Sequence, residues 1–386
     1  MTGTPSSERL HLVLVGERNS GKSSLLNAIA GQNAAIVSAC PGTTTDVVSK
    51  ALEIPGIGPC VLIDTAGLDD SGELGQMRVK KSVDALRSAD IALLVVDALS
   101  GRLPAPVAEV KVFIPVINKI DTLGAEAAER LASAVKERYG KEPVKISALD
   151  GTGIKELVTA IQENIPEDWS APLLTEGLLN PGELALLVMP QDREAPKGRL
   201  ILPQQQTIRE LLDRGCRVMC CTPEELPAAI DSLKDAPAAI IADSQVLGAV
   251  KPLKPEGSRL SSFSMLLAAS KGDIDYFKES ARKIDNLDAS SRVLIAEACT
   301  HVPASEDIGR VKIPAMLRAR CGAGLQVDVV SGKDFPEDLS GYDLVIHCGA
   351  CMFNRRYVLS RVEQAKRQGV PMTNYGVTIA YINNLL

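Results

Sequence analysis

The feature that most constrains this chain is the octapeptide GERNSGKS at residues 16–23, which has the form G-x-x-x-x-G-K-[ST]. It follows the apolar run LHLVLV and precedes a predicted helix that begins at Lys22. In this setting the glycines let the backbone wrap a phosphate chain, and the amides at the start of the helix carry partial positive charge. Lys22 would reach the β and γ oxygens, and the Ser23 hydroxyl would bind Mg²⁺. The motif therefore predicts a nucleotide-binding α/β domain.

A second element with metal-binding chemistry follows the apolar run CVLI as the tetrapeptide DTAG at residues 64–67. Asp64 would hold the hydration shell of Mg²⁺, and the amide of Gly67 would donate to a γ-phosphate. This acid at the end of a strand, in order after the phosphate-binding loop, supports a nucleotide site with Mg²⁺ over a chance match to the octapeptide motif.

A third element, NKID at residues 118–121, follows the run FIPVI and identifies the base. The carboxylate of Asp121 can accept hydrogen bonds from both N1 and the exocyclic amino group of guanine, a donor pair that adenine lacks. Because a polar site left unpaired by the wrong base is costly, the sequence predicts GTP over ATP. Ser147 and Ala148, after the run PVKI, would form the loop behind the base.

Together these motifs resemble those of TrmE and Era-like GTPases, in which PGTTTD at residues 41–46 would be the first switch. The resemblance implies that Thr44 binds Mg²⁺ and that Asn19 binds K⁺ in place of an arginine finger. Leu68 stands where Ras-like enzymes carry a water-positioning glutamine, so we expect slow hydrolysis. The resemblance at Asn19 implies that K⁺ stimulates it. The predicted catalytic residues are Lys22, Thr44, Asp64 and Gly67. The predicted nucleotide-binding residues are Asn19, Ser20, Gly21, Lys22, Ser23, Ser24, Thr44, Asp64, Gly67, Asn118, Lys119, Asp121, Ser147 and Ala148.

The pattern of apolar runs predicts the organisation of the whole chain. Residues 10–165 alternate short apolar strands with helical stretches, which is typical of a parallel α/β sheet. The Pro-rich and acidic stretch 165–182 predicts a linker, and KPLKPEGSR at 251–259 predicts a second break. The alternation continues between and after them, with a predicted strand at 199–203 and one predicted helix over 263–284. We expect three α/β domains: a P-loop GTPase domain with a mostly parallel sheet at 8–168, and smaller open parallel-sheet units at 178–262 and 263–386.

Composition limits the function classes. With 45% hydrophobic and 23% charged residues the chain has the balance of a globular protein, and its net charge of −6 disfavours an extended nucleic-acid surface. No apolar run approaches the roughly 18 residues of a membrane helix, and the first residues lack the apolar core of a signal peptide. We therefore expect a cytoplasmic protein without a membrane segment.

Cysteine and histidine residues cluster in the last third of the chain. Cys299 and His301 follow the apolar run RVLIAEA, and HCGAC at residues 347–351 follows the run DLVI. Because the carboxyl ends of parallel strands meet at one edge of a sheet, these two groups are expected to converge. A C-x-x-C pair with a third cysteine fits zinc or an iron-sulfur cluster, and the spacing alone fixes neither. Six other cysteines lie in or beside apolar segments and are interpreted as small hydrophobic residues: Cys40, Cys60, Cys216, Cys220, Cys221 and Cys321.

The order of these parts resembles the HydF family of [FeFe]-hydrogenase maturation GTPases, which joins a TrmE-like GTPase domain, a dimerisation domain and a C-terminal domain with C-x-H and H-C-x-x-C. The resemblance implies that Cys299, Cys348 and Cys351 bind a [4Fe-4S] cluster, with His301 and His347 as candidates for its fourth ligand. It further implies a homodimer, and a scaffold that receives a diiron precursor from two radical-SAM maturases and delivers it to apo-hydrogenase.

Two alternatives remain open from the sequence. One is an RNA-associated GTPase of the TrmE or Era type with a structural zinc site, which tight, salt-sensitive RNA binding would favour. The other is a redox sensor in which loss of a cluster changes GTP turnover, which GTPase rates with and without the cluster would test.

Overall fold

The computed structural model describes residues 4–31, 35–40, 48–65, 81–105, 110–167, 169, 172–191, 200–298, 307–332 and 334–386, with the backbone alone at 35–40. The chain divides into two compact units, Met1–Ser170 and Ala171–Leu386. Among the described helices, none is long and apolar enough to cross a membrane.

The first unit is built on a sheet of seven strands. They are β1 (Leu10–Gly16), β2 (Ala35–Cys40), β3 (Val48–Ile54), β4 (Gly58–Asp64), β5 (Ile91–Asp97), β6 (Phe113–Asn118) and β7 (Val144–Lys145). Their order across the sheet is β2-β3-β4-β1-β5-β6-β7. β3 runs antiparallel to β2 and β4, and the other pairs are parallel. This mostly parallel sheet confirms the predicted fold class of the first domain.

Helices cover both faces of this sheet. They are α1 (Lys22–Gly31), α2 (described over residues 81–87), α3 (Ala125–Tyr139) and α4 (Ile154–Glu163). Successive side chains of a strand point to opposite faces, so β1 sends Leu12 into a core shared with α1 and α4. Val13 enters a second core that contains Leu86 of α2. Burial on both faces explains why this strand is apolar apart from His11.

The second unit contains two four-stranded sheets. The strands of one are β8 (Leu184–Val188), β9 (Arg217–Cys221), β10 (Ala239–Ala242) and β11 (Arg259–Ser262), in the order β11-β10-β8-β9. Those of the other are β12 (Arg292–Glu297), β13 (Gln326–Ser331), β14 (Leu344–His347) and β15 (Met372–Asn374), in the order β13-β12-β14-β15. All pairs in both sheets are parallel, which confirms two smaller open parallel-sheet units.

One helix of the second unit reaches the cores of both sheets. The helices are α5 (Leu202–Asp213), α6 (Leu226–Asp231), α7 (Leu247–Val250), α8 (Phe263–Lys271), α9 (Ile274–Ala281), α10 (Ile313–Cys321), α11 (Arg355–Gln368) and α12 (Tyr375–Ile382). Phe263 at the start of α8 packs in the core around β8 and β10. Ala268, in the second half of the same helix, packs with residues of β12 and β14. A rigid helix therefore runs between the two cores.

The predicted strand at 199–203 is wrong, because α5 begins at Leu202. Pro203 occupies the first turn of that helix, where its missing N–H removes no hydrogen bond. The side chain of Gln204 accepts a hydrogen bond from the backbone amide of Ile201 at 3.2 Å and so caps the helix start. Local capping therefore overrides the β-branched and apolar character of this segment.

The single helix predicted over 263–284 is also wrong, because α8 ends before Gly272 and α9 begins after Asp273. The Asp273 side chain accepts a hydrogen bond from the amide of Tyr276 at 3.1 Å, which caps α9. A Cβ atom on Gly272 would lie 2.3 Å from the ring of Phe277, so a close packing contact requires glycine there. The alternation also left β2, β3, β11, α2, α3, α7 and α12 unpredicted.

The predicted linker at 165–182 contains the boundary between the units. Its second half is packed, since the amides of Leu174 and Thr175 donate to the Glu210 carboxylate at 2.6 and 2.7 Å. Leu179 is also buried, so this stretch belongs to the surface of α5 rather than to a free connector.

Most of the remaining cysteines pack as predicted. Cys60 and Cys216 are buried in hydrophobic cores, and Cys221 and Cys321 are half-buried against them. The interpretation is wrong for Cys220, which is exposed on β9, because β9 lies at the edge of its sheet. The Cys40 side chain lies outside the described part of the chain.

Candidate functional site

The octapeptide at 16–23 connects the end of β1 to the start of α1. Gly21 has a φ of +87°, and a Cβ atom there would lie 2.2 Å from Nδ2 of Asn118. The Lys22 side chain is buried, and its Nζ donates to the carbonyl oxygens of Gly16 at 2.9 Å and Glu17 at 2.7 Å. The ammonium group therefore lies inside the loop, where it can meet phosphate oxygens.

One buried side chain joins three of the predicted nucleotide elements. Nδ2 of Asn118 donates to the carbonyl oxygen of Ser20 at 3.0 Å. Its Oδ1 accepts from the amides of Lys119 at 2.8 Å and Ala148 at 3.1 Å. Ser147, next to Ala148, is fully buried. The phosphate-binding loop, the NKID segment and the loop after β7 are thus held together by one amide group.

Lys119 adds a second tie between the base-reading segment and the phosphate-binding loop. Its Nζ donates to the carbonyl oxygen of Asn19 at 2.9 Å and forms an ion pair with Asp97 at 2.7 Å. Asp121 lies two residues later in a short helical turn and is exposed, so its carboxylate is accessible to a base. Asp97 was missed by the sequence analysis, although an acid at the carboxyl end of the run IALLVVD was a usable signal.

The residues predicted to hold Mg²⁺ include a hydroxyl and a carboxylate that meet. The Ser23 hydroxyl donates a hydrogen bond to Oδ2 of Asp64. Oδ1 of Asp64 is buried and has no hydrogen-bond partner among the described residues. Burial raises the pKa of Asp64, against the opposing effects of the Ser23 hydrogen bond and the Lys22 charge. An oxygen pair with an unsatisfied buried carboxylate atom fits a hard divalent cation such as Mg²⁺.

Three further residues were predicted to bind the nucleotide or Mg²⁺. Ser24 is exposed in the first turn of α1. Thr44 and Gly67 lie outside the described residues, so their roles stay predictions.

The second candidate site is the loop between β14 and α11, which carries HCGAC. The sulfur of Cys348 accepts hydrogen bonds from the backbone amides of Ala298 at 3.0 Å and Ala350 at 3.4 Å. Ala298 follows β12 directly, and it precedes Cys299 in the sequence. Cys351 is half-buried in the same loop. The structure therefore brings the residue before Cys299 onto Cys348, whereas Cys299 and His301 lie outside the described residues.

His347 is fully buried, and both of its ring nitrogens are hydrogen-bonded. Nδ1 donates to the carbonyl oxygen of Cys348 at 2.7 Å, because a carbonyl can only accept. Nε2 is then the acceptor for Nη1 of Arg361 at 2.8 Å. Coordination of a metal by this imidazole requires one of these bonds to break, so its role as a fourth ligand stays a prediction.

The described residues fit part of a thiolate site. Amide hydrogen bonds to sulfur stabilise its negative charge, as second-shell groups do around metal thiolates. Among the described ranges, no group of three or more His, Cys, Asp or Glu side chains is placed to hold a metal ion. The donor set is soft, and Cys348 and Cys351 alone do not distinguish zinc from an iron-sulfur cluster.

Three side chains that shape this loop belong to no motif in the sequence. Nδ2 of Asn374 donates to the Cys348 carbonyl at 3.1 Å, and Arg361 holds His347. Nζ of Lys271, at the end of α8, reaches the carbonyl of Ala350 at 2.9 Å. A charged residue on the apolar face of a helix was the available signal for Lys271 and Arg361, both of which are buried.

The substitution Asp64→Asn is expected to stabilise the nucleotide-free protein at about pH 7, where the ionised, buried carboxylate is costly. A raised folded pKa means that wild-type stability rises as the pH falls through it, so the advantage of the variant should shrink in acid. The same variant should lose Mg²⁺-dependent nucleotide binding. Urea unfolding at several pH values and nucleotide titration with and without Mg²⁺ measure both effects.

Asp150→Asn is the matched control, since the pKa of exposed Asp150 is lowered by its hydrogen bonds to Thr152. Asp150→Asn should not gain stability at about pH 7, because the ionised carboxylate that it removes is stabilised in the folded protein. Equal stability of wild type and Asp64→Asn at neutral and acid pH would contradict the account.

Three known families match the chain in succession. Residues 11–140 match the family described as 50S ribosome-binding GTPase. Residues 174–272 match the hydrogen maturase F dimerization domain, and residues 275–386 match the hydrogen maturase F tetramerization domain.

Curated tRNA modification GTPases named MnmE resemble the GTPase part of the chain. The tRNA modification GTPase MnmE of Moorella thermoacetica is 40% identical over 164 residues, which are 41% of this chain and 35% of that protein. MnmE of Methylococcus capsulatus is 44% identical over 126 residues, 31% of this chain and 28% of that protein. The match thus spans about a third of the length of these relatives.

Among solved structures, Aquifex aeolicus Era bound to GDP and AlF₄⁻ is 24% identical, with 55% of this chain and 92% of that chain covered at a TM-score of 0.35. A TM-score this low adds no argument about function. The succession of a GTPase domain and both hydrogen maturase F domains confirms the resemblance found in the sequence. The chain is a GTPase-domain protein that belongs to the HydF family of hydrogenase maturation GTPases.

Proposed function

We propose that this protein is a GTP-hydrolysing scaffold that binds a [4Fe-4S] cluster and assembles or delivers the diiron precursor of apo [FeFe]-hydrogenase. The observation that carries the proposal is the hydrogen-bonded sulfur of Cys348. It lies within the residues that match a hydrogen maturase F domain.

In the nucleotide site, Lys22 would contact the β- and γ-phosphates and Asp121 would bind the guanine base. Ser23, Asp64 and Thr44 would hold Mg²⁺, which supplies electrostatic stabilisation of the transferring phosphoryl group. The burial of Asn118 and its three hydrogen bonds keep the base-reading segment fixed against the phosphate-binding loop. Slow turnover with K⁺ bound by Asn19 is part of the proposal and follows from the TrmE-like motifs.

In the second unit, Cys299, Cys348 and Cys351 would hold the cluster, with His301 and His347 as candidates for the fourth position. Such a cluster would supply an iron site at which an exchangeable ligand binds. The protein's own part is to fix the thiols: the amide of Ala298 donates to the sulfur of Cys348, and Asn374 fixes the Cys348 carbonyl. The radical-SAM maturases would supply the diiron precursor, and this protein would transfer it to the apo-hydrogenase.

The proposed division of labour follows three domains, a GTPase domain at 8–168, a dimerisation domain at 178–262 and a cluster domain at 263–386. The three family matches support it in order and approximate extent. The matched domains are named for dimerization and tetramerization, which supports a homo-oligomer, and at least a homodimer.

The substitution Asp121→Asn should reverse base preference. An amide cannot accept both guanine hydrogens, but its NH₂ group can donate to the extra carbonyl of xanthine. We expect GTP turnover at limiting nucleotide to fall on the order of 100-fold, and XTP turnover to rise above that of GTP. Steady-state hydrolysis of GTP, XTP and ATP measures this, with exposed Asp150→Asn as the control. Unchanged GTP preference in Asp121→Asn would remove this residue from base recognition.

Anaerobic reconstitution with iron and sulfide should load about four irons per chain and give a broad absorption band near 400 nm. Cys348→Ser should lose most of that iron and the band. The control is Cys220→Ser, the same substitution at the exposed cysteine of β9, which should load like wild type. Iron, sulfide and zinc analysis together with absorption spectra test the proposal. One zinc per chain and no absorption band near 400 nm in wild type would contradict the proposal and favour a GTPase with a structural zinc site.

A further inference from the structure

Lys271, the last residue of α8, is buried next to the HCGAC loop with 6% of its surface exposed. Its Nζ donates to three carbonyl oxygens of that loop, those of Ala350 at 2.9 Å, Cys351 at 3.2 Å and Phe353 at 2.7 Å. A lysine ammonium has three donors and no acceptor, so these carbonyls match its full capacity. The loop is therefore folded around one cation.

The shape of the loop depends on this contact. Ala350 has a φ of +49° although it is not glycine, and it is buried. Such a conformation costs free energy and persists where surrounding contacts hold it. The bond from Lys271 to the Ala350 carbonyl is one of these contacts. It fixes the peptide between Ala350 and Cys351, and so the direction in which the chain enters Cys351.

The HCGAC loop and the start of α11 also contact α8. Nη1 of Arg355, at the start of α11, donates to the carbonyl oxygens of Ser270 at 2.8 Å and Gly272 at 3.3 Å. A Cβ atom on Gly349 would lie 3.2 Å from the side chain of Leu267. Since α8 is anchored in the cores of both sheets, the ammonium position is set by the fold and not by the loop alone.

A buried ammonium group is costly unless its hydrogen bonds are satisfied, and removal of it would leave three carbonyl groups without their donor. Apolar residues occupy the same helix face at lower cost, so packing alone gives no reason for lysine here. A fixed positive charge beside a thiolate site does give a reason, because the protein's own cation stabilises added negative charge at close range.

We propose that Lys271 is a positioning residue of the cysteine site: it holds residues 348–353 in the metal-binding shape and raises the reduction potential of the cluster. This inference rests on the proposed function. A [4Fe-4S] core with three thiolates is anionic, and reduction adds one more electron. A nearby cation therefore favours the reduced form.

The test uses full-length protein reconstituted anaerobically: wild type, Lys271→Met, Lys271→Gln and Lys278→Met. Methionine removes charge and donors, whereas glutamine keeps two N–H donors without the charge. Lys278 is exposed on α9, so its substitution by methionine gives the same change of net charge without the buried contact. The measurements are iron retention against a chelator and the midpoint potential from a redox titration monitored by electron paramagnetic resonance.

Lys271→Met should release iron at least tenfold faster than wild type, and the iron-loaded fraction should have a more negative potential. Lys271→Gln should keep more iron than Lys271→Met but show a similar negative shift, because charge and not donation sets the potential. Lys278→Met should match wild type in both measurements. A merely structural role for Lys271 would change iron retention and leave the potential of the loaded fraction unchanged, which would overturn the inference.

The two proposals fail separately. Wild-type protein that takes up no cluster would remove the proposed function. If wild type and Lys271→Gln both load a cluster and the two clusters have the same midpoint potential, Lys271 does not have the proposed role. The proposed cluster site would then still stand. If Lys271→Met does not fold, Lys271→Gln alone decides the question, since it retains donors for the loop carbonyls.

Discussion

The constraint on which both sites depend is that parallel strands place all of their carboxyl ends at one edge of a sheet. In the first unit this edge gathers Gly16, Asp64 and Asn118, the last residues of β1, β4 and β6. In the sheet formed by β12 to β15, the same edge gathers the residues after β12 and β14, so that the amide of Ala298 meets the sulfur of Cys348. Groups far apart in sequence therefore meet without a strained connection.

Within each site, a small number of buried polar side chains turns this proximity into a fixed arrangement. Asn118 does so for the nucleotide elements, with hydrogen bonds to Ser20, Lys119 and Ala148. Lys271 does so for the HCGAC loop through hydrogen bonds to three carbonyl groups. Buried groups of this kind are stable only when their hydrogen bonds are satisfied, so each also specifies the loop that satisfies it.

The parts that could be predicted from sequence are those whose signal is local. The octapeptide at 16–23 predicts its own strand, loop and helix. Buried strands such as β1 and β5 are almost entirely apolar because both of their faces are covered. The edge strand β11 and the only partly buried strand β3 carry a weaker apolar pattern, which is why both were missed. The start of α5 was misread because Pro203 and the cap formed by Gln204 outweigh the apolar residues around them.

The contacts that shape the cysteine loop could not be read from sequence in the same way. Lys271 and Ala350 are 79 positions apart, and only the packing of α8 against the loop brings them together. The tautomer of His347 likewise depends on Arg361, from the helix that follows. Spacing of cysteines and histidines predicts which residues meet, whereas the groups that orient them come from the tertiary fold.

The proposed function couples GTP hydrolysis to the handling of a cluster within one chain, and this coupling requires switch residues with two arrangements whose balance the nucleotide shifts. Its most direct test is the rate at which cluster-loaded protein activates apo-hydrogenase with GTP present, compared between wild type and Lys22→Ala. We expect Lys22→Ala to retain iron like wild type and to transfer more slowly, at the rate of wild type without GTP. Transfer by Lys22→Ala as fast as that of wild type with GTP would contradict the account.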